Sequence, residues 1–306
     1  MINIVIPFDE KSPSGPPFNS ENYKNGYIEL SEKAKKQKMN IYFSRGLDAY
    51  VGKGVFNNCY EFVDKEIKYA GKIKADAVFD KSVYLKPDGS YPCINNKVIK
   101  NICMDKNLTA EMFPEFSPRT ALFEEEKELV NELKKSNGIV VIKPVDGSAG
   151  KGVIIENADK VNTVDVEAYP VIFQQFIDTS KGIPGIVEGR HDFRVCIVDG
   201  RIIYSFVRTP GKGDYRAGLA TGGTLSVVDI NKVPSEVEDI ATAIEKEFSK
   251  YGHRLYTVDV AFDGSKFWLI ELNSQPGLSS ESFFPNYATI YQKELLDLLE
   301  KVANID

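Results

Sequence analysis

The feature that most constrains this chain of 306 residues is a glycine-rich loop between two short runs of strand-forming residues. The runs are Ile139 to Val145 and Val153 to Glu156, and Lys143 lies just before the loop. The loop residues of interest are Gly147, Gly150, Lys151 and Gly152. Glycines have no Cβ, so backbone N–H groups can surround an anion, and the lysines supply countercharge. The pattern predicts a phosphate-binding loop.

The residues after the loop indicate which kind of phosphate loop it is. Nucleotide loops of the Walker type and dinucleotide fingerprints run into a helix. Here the β-branched residues Val153, Ile154 and Ile155 follow, and a turn signal begins at Asn157. A hairpin that closes as a flap over a triphosphate is therefore favoured. An ordinary hairpin with a glycine-rich turn is the alternative that the loop alone leaves open.

Composition excludes several classes of protein. The net charge is −6 and the pI is about 5.3, which does not favour a general nucleic-acid surface. The four cysteines form no C-x-x-C pair and there are only two histidines, so neither a zinc site nor a disulfide framework is indicated. Any metal is expected to have oxygen ligands. No signal peptide or membrane span is recognisable, which predicts a cytoplasmic protein.

The first hundred residues alternate between strand and helix patterns. Strands are predicted at Ile2 to Phe8, Met39 to Ser44 and Asp76 to Asp80, with a helix at Asn22 to Lys38 and a helix-like charged stretch at Asn58 to Ala70. This alternation is typical of a small open α/β domain, which offers ligands the carboxyl ends of its strands.

Five residues follow those strands and are weak candidates for substrate contact, with an ordinary loop role as the alternative: Ser44, Arg45, Gly46, Lys81 and Ser82. The loop from Asp9 to Pro17 is either a substrate lid or a surface connector.

The middle of the chain carries further candidates. A helix over Val98 to Ala110 would carry Lys106, and an amphipathic helix is predicted at Phe123 to Ser136. A strand at Val171 to Ile177 ends in Asp178, where backbone groups could read an adenine edge and the acid could hold ribose hydroxyls. Gly182 to Gly189 is predicted to be a mobile insertion.

Two arginines lie in a predicted hairpin. Asp199 and Gly200 form a strong turn signal between strands at Phe193 to Val198 and Arg201 to Arg208. Arg194 lies in the first strand and Arg208 ends the second. A glycine-rich loop at 209–223, which contains Arg216, could cradle an acyl phosphate or be a plain loop.

The last predicted hairpin carries a set of oxygen ligands. Asp259 lies on one strand, and Glu271 and Asn273 lie two residues apart on the next, so these two point to the same face. A turn at Asp263 to Lys266 would bring Asp259 roughly opposite Glu271. Three oxygen ligands on one face fit Mg²⁺, which is commonly held by one or two carboxylates together with phosphates.

With these features in order, the chain resembles ATP-grasp enzymes, most of all RimK-like glutamate ligases and bacterial glutathione synthetases. The resemblance covers about Lys106 to Leu278. The matching segments are VVIKPVDGSAGKGV, FQQFI, HDFRVCIVDGRII, RAGLATGG and VDVAFDGSKFWLIELNSQPG.

The resemblance implies roles for individual residues. The ATP-binding set would be Lys106, Lys143, Gly147, Ser148, Gly150, Lys151, Gly152, Gln174, Gln175, Phe176, Ile177 and Asp178. The metal-binding set would be Asp259, Glu271 and Asn273, and the catalytic arginines would be Arg194, Arg208 and Arg216. Two residues depart from the family pattern: Gly218 stands where similar enzymes often have Asn, and Gln175 stands where an acid is frequent.

The resemblance also implies a fold and a reaction. The fold would be an α+β ATP-grasp fold, with a small N-terminal open α/β domain (1–104) followed by two α+β subdomains (105–175 and 176–306) that clasp ATP. ATP and Mg²⁺, or Mn²⁺ in its place, would serve a ligase that joins a carboxylate to an amine on an amino acid, peptide or protein. A kinase on this fold and a non-catalytic ATP-binding regulator are the alternatives. Neither nucleic acid nor membrane is expected as a partner. Whether the chain forms a homo-oligomer is left open.

Overall fold

The computed structural model divides the chain into two compact units. It describes residues 1–83, 91–147, 150–218 and 222–304. The first unit comprises Met1–Val98, Ser249–Tyr256 and Gln275–Asp306, and the second comprises Ile99–Phe248 and Thr257–Ser274. Residues 275–306 thus belong to the same unit as the N-terminal residues. The finer division at residues 104 and 175 stays a prediction.

The first unit, over its described residues, is built on a seven-stranded sheet. Its strands are β1 (Ile2–Phe8), β2 (Met39–Arg45), β3 (Tyr50–Gly52), β4 (Val55–Val63), β5 (Glu66–Lys74), β6 (Ala77–Phe79) and β7 (Cys93–Ile94). The order is β3-β4-β2-β1-β6-β7, and β5 pairs with β4. β1 is parallel to both β2 and β6, so the carboxyl ends of these three strands lie at one edge. The predicted open α/β domain is confirmed.

Two helices and a group of aromatic rings complete this unit. The helices α1 (Glu21–Lys36) and α6 (Pro285–Ala303) pack against β2 and β6, respectively. Edge-to-face contacts connect five rings: Phe8, Phe18, Tyr27, Phe43 and Phe62. This geometry adds to the stabilisation that burial of the rings provides.

The helix-like interpretation of Asn58 to Ala70 is wrong, because this stretch lies in the β4–β5 hairpin. Phe56, Cys59 and Phe62 are buried at a spacing of three residues, which mimics a helix face. The spacing arises because register shifts interrupt the pairing on both sides of Cys59. Bulges of this kind insert extra residues and break the period of two on which strand prediction relies.

The second unit contains a four-stranded antiparallel sheet among its described residues. Its strands are β8 (Thr120–Phe123), β9 (Ile139–Pro144), β10 (Ile154–Asn157) and β11 (Val171–Gln175), in the order β10-β9-β11-β8. Ile154 pairs with Ile142 in antiparallel register, so the predicted hairpin around the glycine-rich loop is confirmed.

Three helices are associated with this part of the chain. They are α2 (Lys97–Met104), α3 (Lys106–Met112) and α4 (Glu126–Leu133). The predicted single helix over Val98 to Ala110 is divided because the Asp105 carboxylate accepts a hydrogen bond from the Leu108 N–H at 2.9 Å and caps α3. α4 starts later than predicted because Phe123 belongs to β8.

A second sheet of the same unit has five strands over its described residues. They are β12 (Asp192–Val198), β13 (Arg201–Thr209), β14 (Thr224–Val228), β15 (Leu255–Phe262) and β16 (Phe267–Asn273), in the order β14-β13-β12-β15-β16, accompanied by the helix α5 (Ser235–Phe248). Asp199 and Gly200 have φ values of 45° and 82°, which confirms the predicted tight turn between β12 and β13.

The segment predicted as a mobile insertion, Gly182 to Gly189, forms a hydrogen-bonded turn in which the Ile183 N–H donates to the Val187 carbonyl at 2.8 Å. Ile183 is buried. Among the described residues, no helix is both long enough and apolar enough to cross a bilayer.

Candidate functional site

Two lysines lie at the base of the glycine-rich loop. Lys143 is on β9 with only 6% of its surface exposed, and its Nζ is 3.5 Å from the carbonyl oxygen of Ile270. Burial lowers the pKa of Lys143 to about 8, although the Glu271 carboxylate opposes the shift. Lys106, at the start of α3, donates from Nζ to the carbonyl of Gly147 at 2.9 Å and lies 4.0 Å from Glu271 Oε1. The structure thus brings both predicted lysines together with a predicted metal ligand.

The loop above these lysines depends on its glycines. Gly147, Gly150 and Gly152 have φ values of 112°, 70° and 66°, a region that side chains with a Cβ rarely adopt. A Cβ on Gly152 would stand 3.0 Å from Pro144, and one on Gly150 would stand 3.7 Å from Cδ of Arg216. The two glycine-rich loops, each predicted to contact phosphate, therefore approach each other.

Two further residues were predicted in this loop. Lys151 is exposed to solvent. Ser148 lies outside the described residues.

A β-bulge sets the orientation of the predicted metal ligands. Asp259 on β15 pairs with Glu271 on β16, as predicted, and Thr257 pairs with Asn273. The next pair is Val260 with Leu269, so Ile270 has no counterpart on β15. Without this extra residue Glu271 and Asn273 would point to the opposite face from Asp259. The bulged residue Ile270 also provides the carbonyl that Lys143 contacts.

Two of the three predicted catalytic arginines form a buried ionic cluster with two aspartates. Arg194 donates from Nε and Nη2 to the two carboxylate oxygens of Asp259. Arg208 donates from Nη2 to Asp259 Oδ2 at 2.8 Å and from Nε to Asp192 Oδ1 at 2.7 Å. Two positive and two negative side chains thus share one site next to Glu271.

The protonation states of the two aspartates in this cluster depend on their ion pairs with the arginines. Burial acts to raise the pKa of Asp259, but Arg194 and Arg208 together hold it below its ordinary value. Burial raises the pKa of Asp192, against the effect of Arg208. Asp259 therefore stays ionised, and Asp192 is the carboxylate more readily protonated.

Sequence reasoning overlooked Asp192. The residue directly precedes the strand that was predicted to start at Phe193, and it lies two positions before Arg194. Residues two apart on a strand share a face, so this spacing was the available signal.

The residues predicted to contact adenine lie at and beyond the end of β11. β11 ends at Gln175, two residues earlier than predicted. Gln174 is buried and donates to Thr120 Oγ1 at 3.0 Å, and the Phe176 ring makes an edge contact with Tyr215 at 5.2 Å. Ile177 is half-buried.

Asp178 has a local structural role in this structure. Its carboxylate accepts hydrogen bonds from the backbone N–H and the hydroxyl of Ser180 at 3.1 and 3.0 Å. These bonds orient the chain just beyond β11.

Arg216 is paired within its own loop. Its guanidinium donates to the Asp214 carboxylate, with Nη2 2.9 Å from Oδ2. This pairing lowers the pKa of Asp214 to about 2. A charged arginine next to the loop at Gly150 is consistent with an anion-binding role.

The donor set on β15 and β16 consists of oxygen atoms, which suit a hard divalent cation, and in this structure both oxygens of Asp259 accept hydrogen bonds from Arg194 and Arg208. Among the described residues there is no cluster of three or more His, Cys, Asp and Glu side chains suited to a metal. Two carboxylates and one amide oxygen are present on neighbouring strands, and Mg²⁺ often uses only one or two carboxylates because phosphates and water complete its shell.

Comparison with known proteins places this site in a family. Residues 106–279, more than half of the chain, match the model of the prokaryotic glutathione synthetase ATP-grasp domain. The chain belongs to this ATP-grasp family. The match begins at Lys106 and includes each of the residues discussed above. The resemblance predicted from the sequence is confirmed.

The chain is similar to curated ATP-grasp ligases over part of their length. A probable alpha-L-glutamate ligase of Shewanella pealeana is 28% identical over 144 residues, which cover 45% of this chain and 28% of that protein. A glutathione synthetase of Yersinia pestis is 33% identical over 123 residues, covering 40% of this chain and 37% of that protein. The matches thus span about a quarter to three fifths of the first curated relatives.

The fold of the whole chain resembles solved ATP-grasp structures. The VanG D-Ala:D-Ser ligase of Enterococcus faecalis superposes with a TM-score of 0.66 at 15% identity, covering 99% of each chain. At this identity the similarity establishes the fold alone. The predicted ATP-grasp architecture is confirmed.

Proposed function

We propose that this chain is an ATP- and Mg²⁺-dependent carboxylate–amine ligase that forms an amide bond through an acyl phosphate. One observation carries the proposal: Lys106 and Lys143 lie close to Glu271 beneath the glycine-rich loop, and Glu271 pairs with Asp259 on the neighbouring strand. The lysines provide countercharge for a polyphosphate, and the two carboxylates provide ligands for the cation that accompanies it.

Each part of the site then has a role. Lys106 and Lys143 would bind ATP phosphates, and the loop at Gly147 to Gly152 would cover them with backbone N–H groups. Asp259, Glu271 and Asn273 would hold Mg²⁺, whose charge would offset that of the phosphates. Because β11 pairs with β8 and β9 on its two sides, adenine would be read mainly by the backbone around Phe176 and Ile177, with Asp178 near the ribose.

Catalysis in this scheme depends on position and charge. The substrate carboxylate attacks the γ-phosphorus of ATP, the bond to ADP breaks, and an amine then displaces phosphate from the acyl phosphate. Arg194 and Arg208 would stabilise the transferred phosphoryl group, and Arg216 would contact the acyl phosphate. Phosphoryl transfer depends mainly on alignment and electrostatic stabilisation, so no protein nucleophile is needed.

The state of the buried thiols agrees with this scheme. Burial raises the pKa of Cys196 to about 12 and raises that of Cys103 further above its ordinary value. Both thiols stay protonated at neutral pH, and a protonated thiol is a poor nucleophile.

The proposal is tested by incubating the protein with MgATP and pairs drawn from a panel of carboxylic acids and amines. We expect one or more pairs to stimulate ADP release and to yield an amide by mass spectrometry. Lys143→Ala and Glu271→Ala should reduce turnover at least 100-fold, a loss of about 2.7 kcal/mol of transition-state stabilisation. Exposed Lys160→Ala serves as the control and should retain full activity.

The same experiment distinguishes the alternatives. A stable phosphorylated acid in place of an amide would indicate a kinase. ATP binding in calorimetry without turnover for any pair would indicate a regulatory protein. Either result would contradict the proposal.

A further inference from the structure

A second candidate site lies wholly within the first unit, at the carboxyl edge of its parallel strands. It is a cavity of about 270 Å³ lined by residues that follow β1 and β6 and by the segment before α6. Open α/β sheets bind ligands at this edge. No role in the proposed ATP and metal chemistry accounts for the cavity.

Most of the cavity wall is apolar. The apolar and aromatic lining residues are Phe8, Pro16, Pro17, Tyr23, Tyr27 and Leu278. Tyr27 and Leu278 are buried, whereas Tyr23 is 37% exposed. Such a wall favours an aliphatic or aromatic group, because burying it removes apolar surface from water.

The wall also holds one positive side chain among the described residues that line it. Lys81 donates from Nζ to the carbonyl of Pro276 at 2.6 Å, and an ammonium group has three N–H donors. Burial lowers the pKa of Lys81 to about 7, and the only carboxylate that acts against this shift is Asp80. A ligand carboxylate next to Nζ would relieve the cost of burying this charge.

Two carboxylates also belong to the wall. Asp9 and Glu10 directly follow β1 and both line the cavity. The Asp9 carboxylate accepts a hydrogen bond from the Val83 N–H at 2.7 Å, which fixes its position. The Glu10 carboxylate accepts from the Ser12 N–H at 2.9 Å, whereas the Lys81 ammonium donates to the Pro276 carbonyl, so different backbone groups hold the negative and the positive side chains.

The loop that forms one side of the cavity is held in place by Arg45. Its guanidinium donates to the carbonyls of Ser12 and Pro16 at 2.6 and 3.0 Å and lies 5.2 Å from the centres of the Phe8 and Phe18 rings. Arg45 is 1% exposed. Arg45 thus stabilises the loop as a wall, and a preformed wall lowers the cost of ordering on binding.

We propose that this cavity binds a zwitterionic α-amino acid with an apolar side chain, its carboxylate at Lys81, its ammonium at Asp9 and Glu10, and its side chain against Pro16, Pro17 and Tyr23. The proposal of binding rests on the cavity alone. Its role as the acid or amine substrate rests on the proposed ligase function. A second carboxylate, as in glutamate, would lie against this apolar wall and lose its hydration, so glutamate would bind more weakly.

Binding is tested by calorimetry of the full chain without nucleotide. The probes are L-phenylalanine, L-leucine and L-glutamate, together with phenethylamine, which lacks the carboxylate, and 3-phenylpropionate, which lacks the ammonium. We expect phenylalanine or leucine to bind at least tenfold more tightly than glutamate and than either analogue. Equal affinity for phenylalanine and both analogues, or no binding of either apolar amino acid, would overturn the proposal.

Variants assign the binding to this cavity. Lys81→Met should weaken phenylalanine binding at least tenfold and leave phenethylamine binding unchanged. In Gly277→Ala, the new Cβ would stand 2.9 Å from the Tyr23 ring and displace it, which should also weaken binding. Tyr69→Ala, an exposed change on β5, is the control and should have no effect. Unchanged phenylalanine affinity in both Lys81→Met and Gly277→Ala would contradict the assignment.

The two proposals fail separately. If phenylalanine binds and requires Lys81 but no acid and amine pair releases ADP, the cavity stands and the ligase function fails. If amide formation occurs but is insensitive to Lys81→Met and shows no preference for apolar amino acids, the ligase function stands and the cavity assignment fails.

Discussion

Lys143 is almost removed from water, yet the proposed function requires it to be charged when nucleotide is bound. Its pKa of about 8 in the free protein means that it is largely protonated at pH 7 and largely neutral at pH 9. Bound phosphates favour the ammonium form and raise the pKa. Nucleotide binding should therefore take up a proton above pH 8.

This prediction is measured by calorimetry at pH 7 and pH 9 in buffers of different ionisation enthalpy. We expect uptake approaching one proton at pH 9, little at pH 7, and weaker affinity at pH 9. Lys143→Met should remove the additional uptake at pH 9. Uptake that persists in this variant would assign the proton to another group.

Asp192 is the second residue whose role can be tested individually. Asp192→Ala removes one carboxylate partner of Arg208 and leaves its bond to Asp259, and breaking a buried ion pair from one side typically costs about 3–5 kcal/mol. We expect the free energy of unfolding of the second unit to fall by this amount, measured by urea denaturation of the full chain.

The conservative change separates charge from hydrogen bonding. Asp192→Asn keeps an acceptor for Arg208 and should cost less stability than Asp192→Ala, while lowering turnover because Arg208 is less firmly positioned. Asp159→Ala, at an exposed position, is the control. Equal stability of the wild type and Asp192→Ala would show that the pair contributes nothing to folding.

At the scale of elements, the turn at Gly182 to Gly189 offers a paired test of backbone geometry. Gly182 and Gly185 both have positive φ, at 69° and 74°. A Cβ on Gly182 would stand 2.2 Å from the Val187 carbonyl oxygen, whereas one on Gly185 would meet nothing within 4 Å. Gly185→Ala should cost about 1 kcal/mol from backbone strain alone.

Gly182→Ala should cost clearly more, about 2–4 kcal/mol, because the clash is with backbone that must move. Thermal and urea unfolding of the two variants measure the difference. Equal losses of stability in the two variants would contradict the close approach of Gly182 to the Val187 carbonyl.

Elements also show what the sequence could and could not predict. The strands around the glycine-rich loop were predictable, since turn residues and β-branched runs are local signals, and the turn at Asp263 to Lys266 placed Asp259 only roughly opposite Glu271. The bulge at Ile270 that aligns the two acids leaves no comparable signal, because it depends on pairing between strands. The same limitation made β4 resemble a helix, with Phe56 and Cys59 three residues apart.

Side-chain partners were the least predictable part of the site. Arg194 and Arg208 were predicted to contact the transferred phosphoryl group, and in this structure they bind Asp259. Local patterns do not specify such a pairing, because the partners are 65 and 51 residues apart in sequence. The cluster exists only once β12, β13 and β15 lie side by side.

At the scale of the whole molecule, the two compact units are predicted to respond to different ligands. The proposed nucleotide contacts belong to the second unit, and the proposed amino-acid cavity belongs to the first. A ligand at 100 times its Kd stabilises the state that binds it by about 2.7 kcal/mol. Hydrogen exchange should therefore slow in 137–157 and 257–273 with a non-hydrolysable MgATP analogue, and near 8–17 and 275–279 with phenylalanine.

Lys143→Ala should abolish the first pattern and leave the second intact, and Lys81→Met should have the opposite effect. Loss of both patterns in either variant would indicate that the substitution unfolds the chain or that the sites are not as assigned.

The central claim is that a substrate carboxylate attacks ATP, and the fate of its oxygen tests this most directly. Once the panel has identified an active pair, the acid is supplied with ¹⁸O in its carboxylate and the released phosphate is analysed by mass spectrometry. An acyl phosphate transfers one carboxylate oxygen to phosphate in each turnover, so we predict phosphate carrying one ¹⁸O atom and an amide retaining the other. Unlabelled phosphate accompanying amide formation would contradict the account.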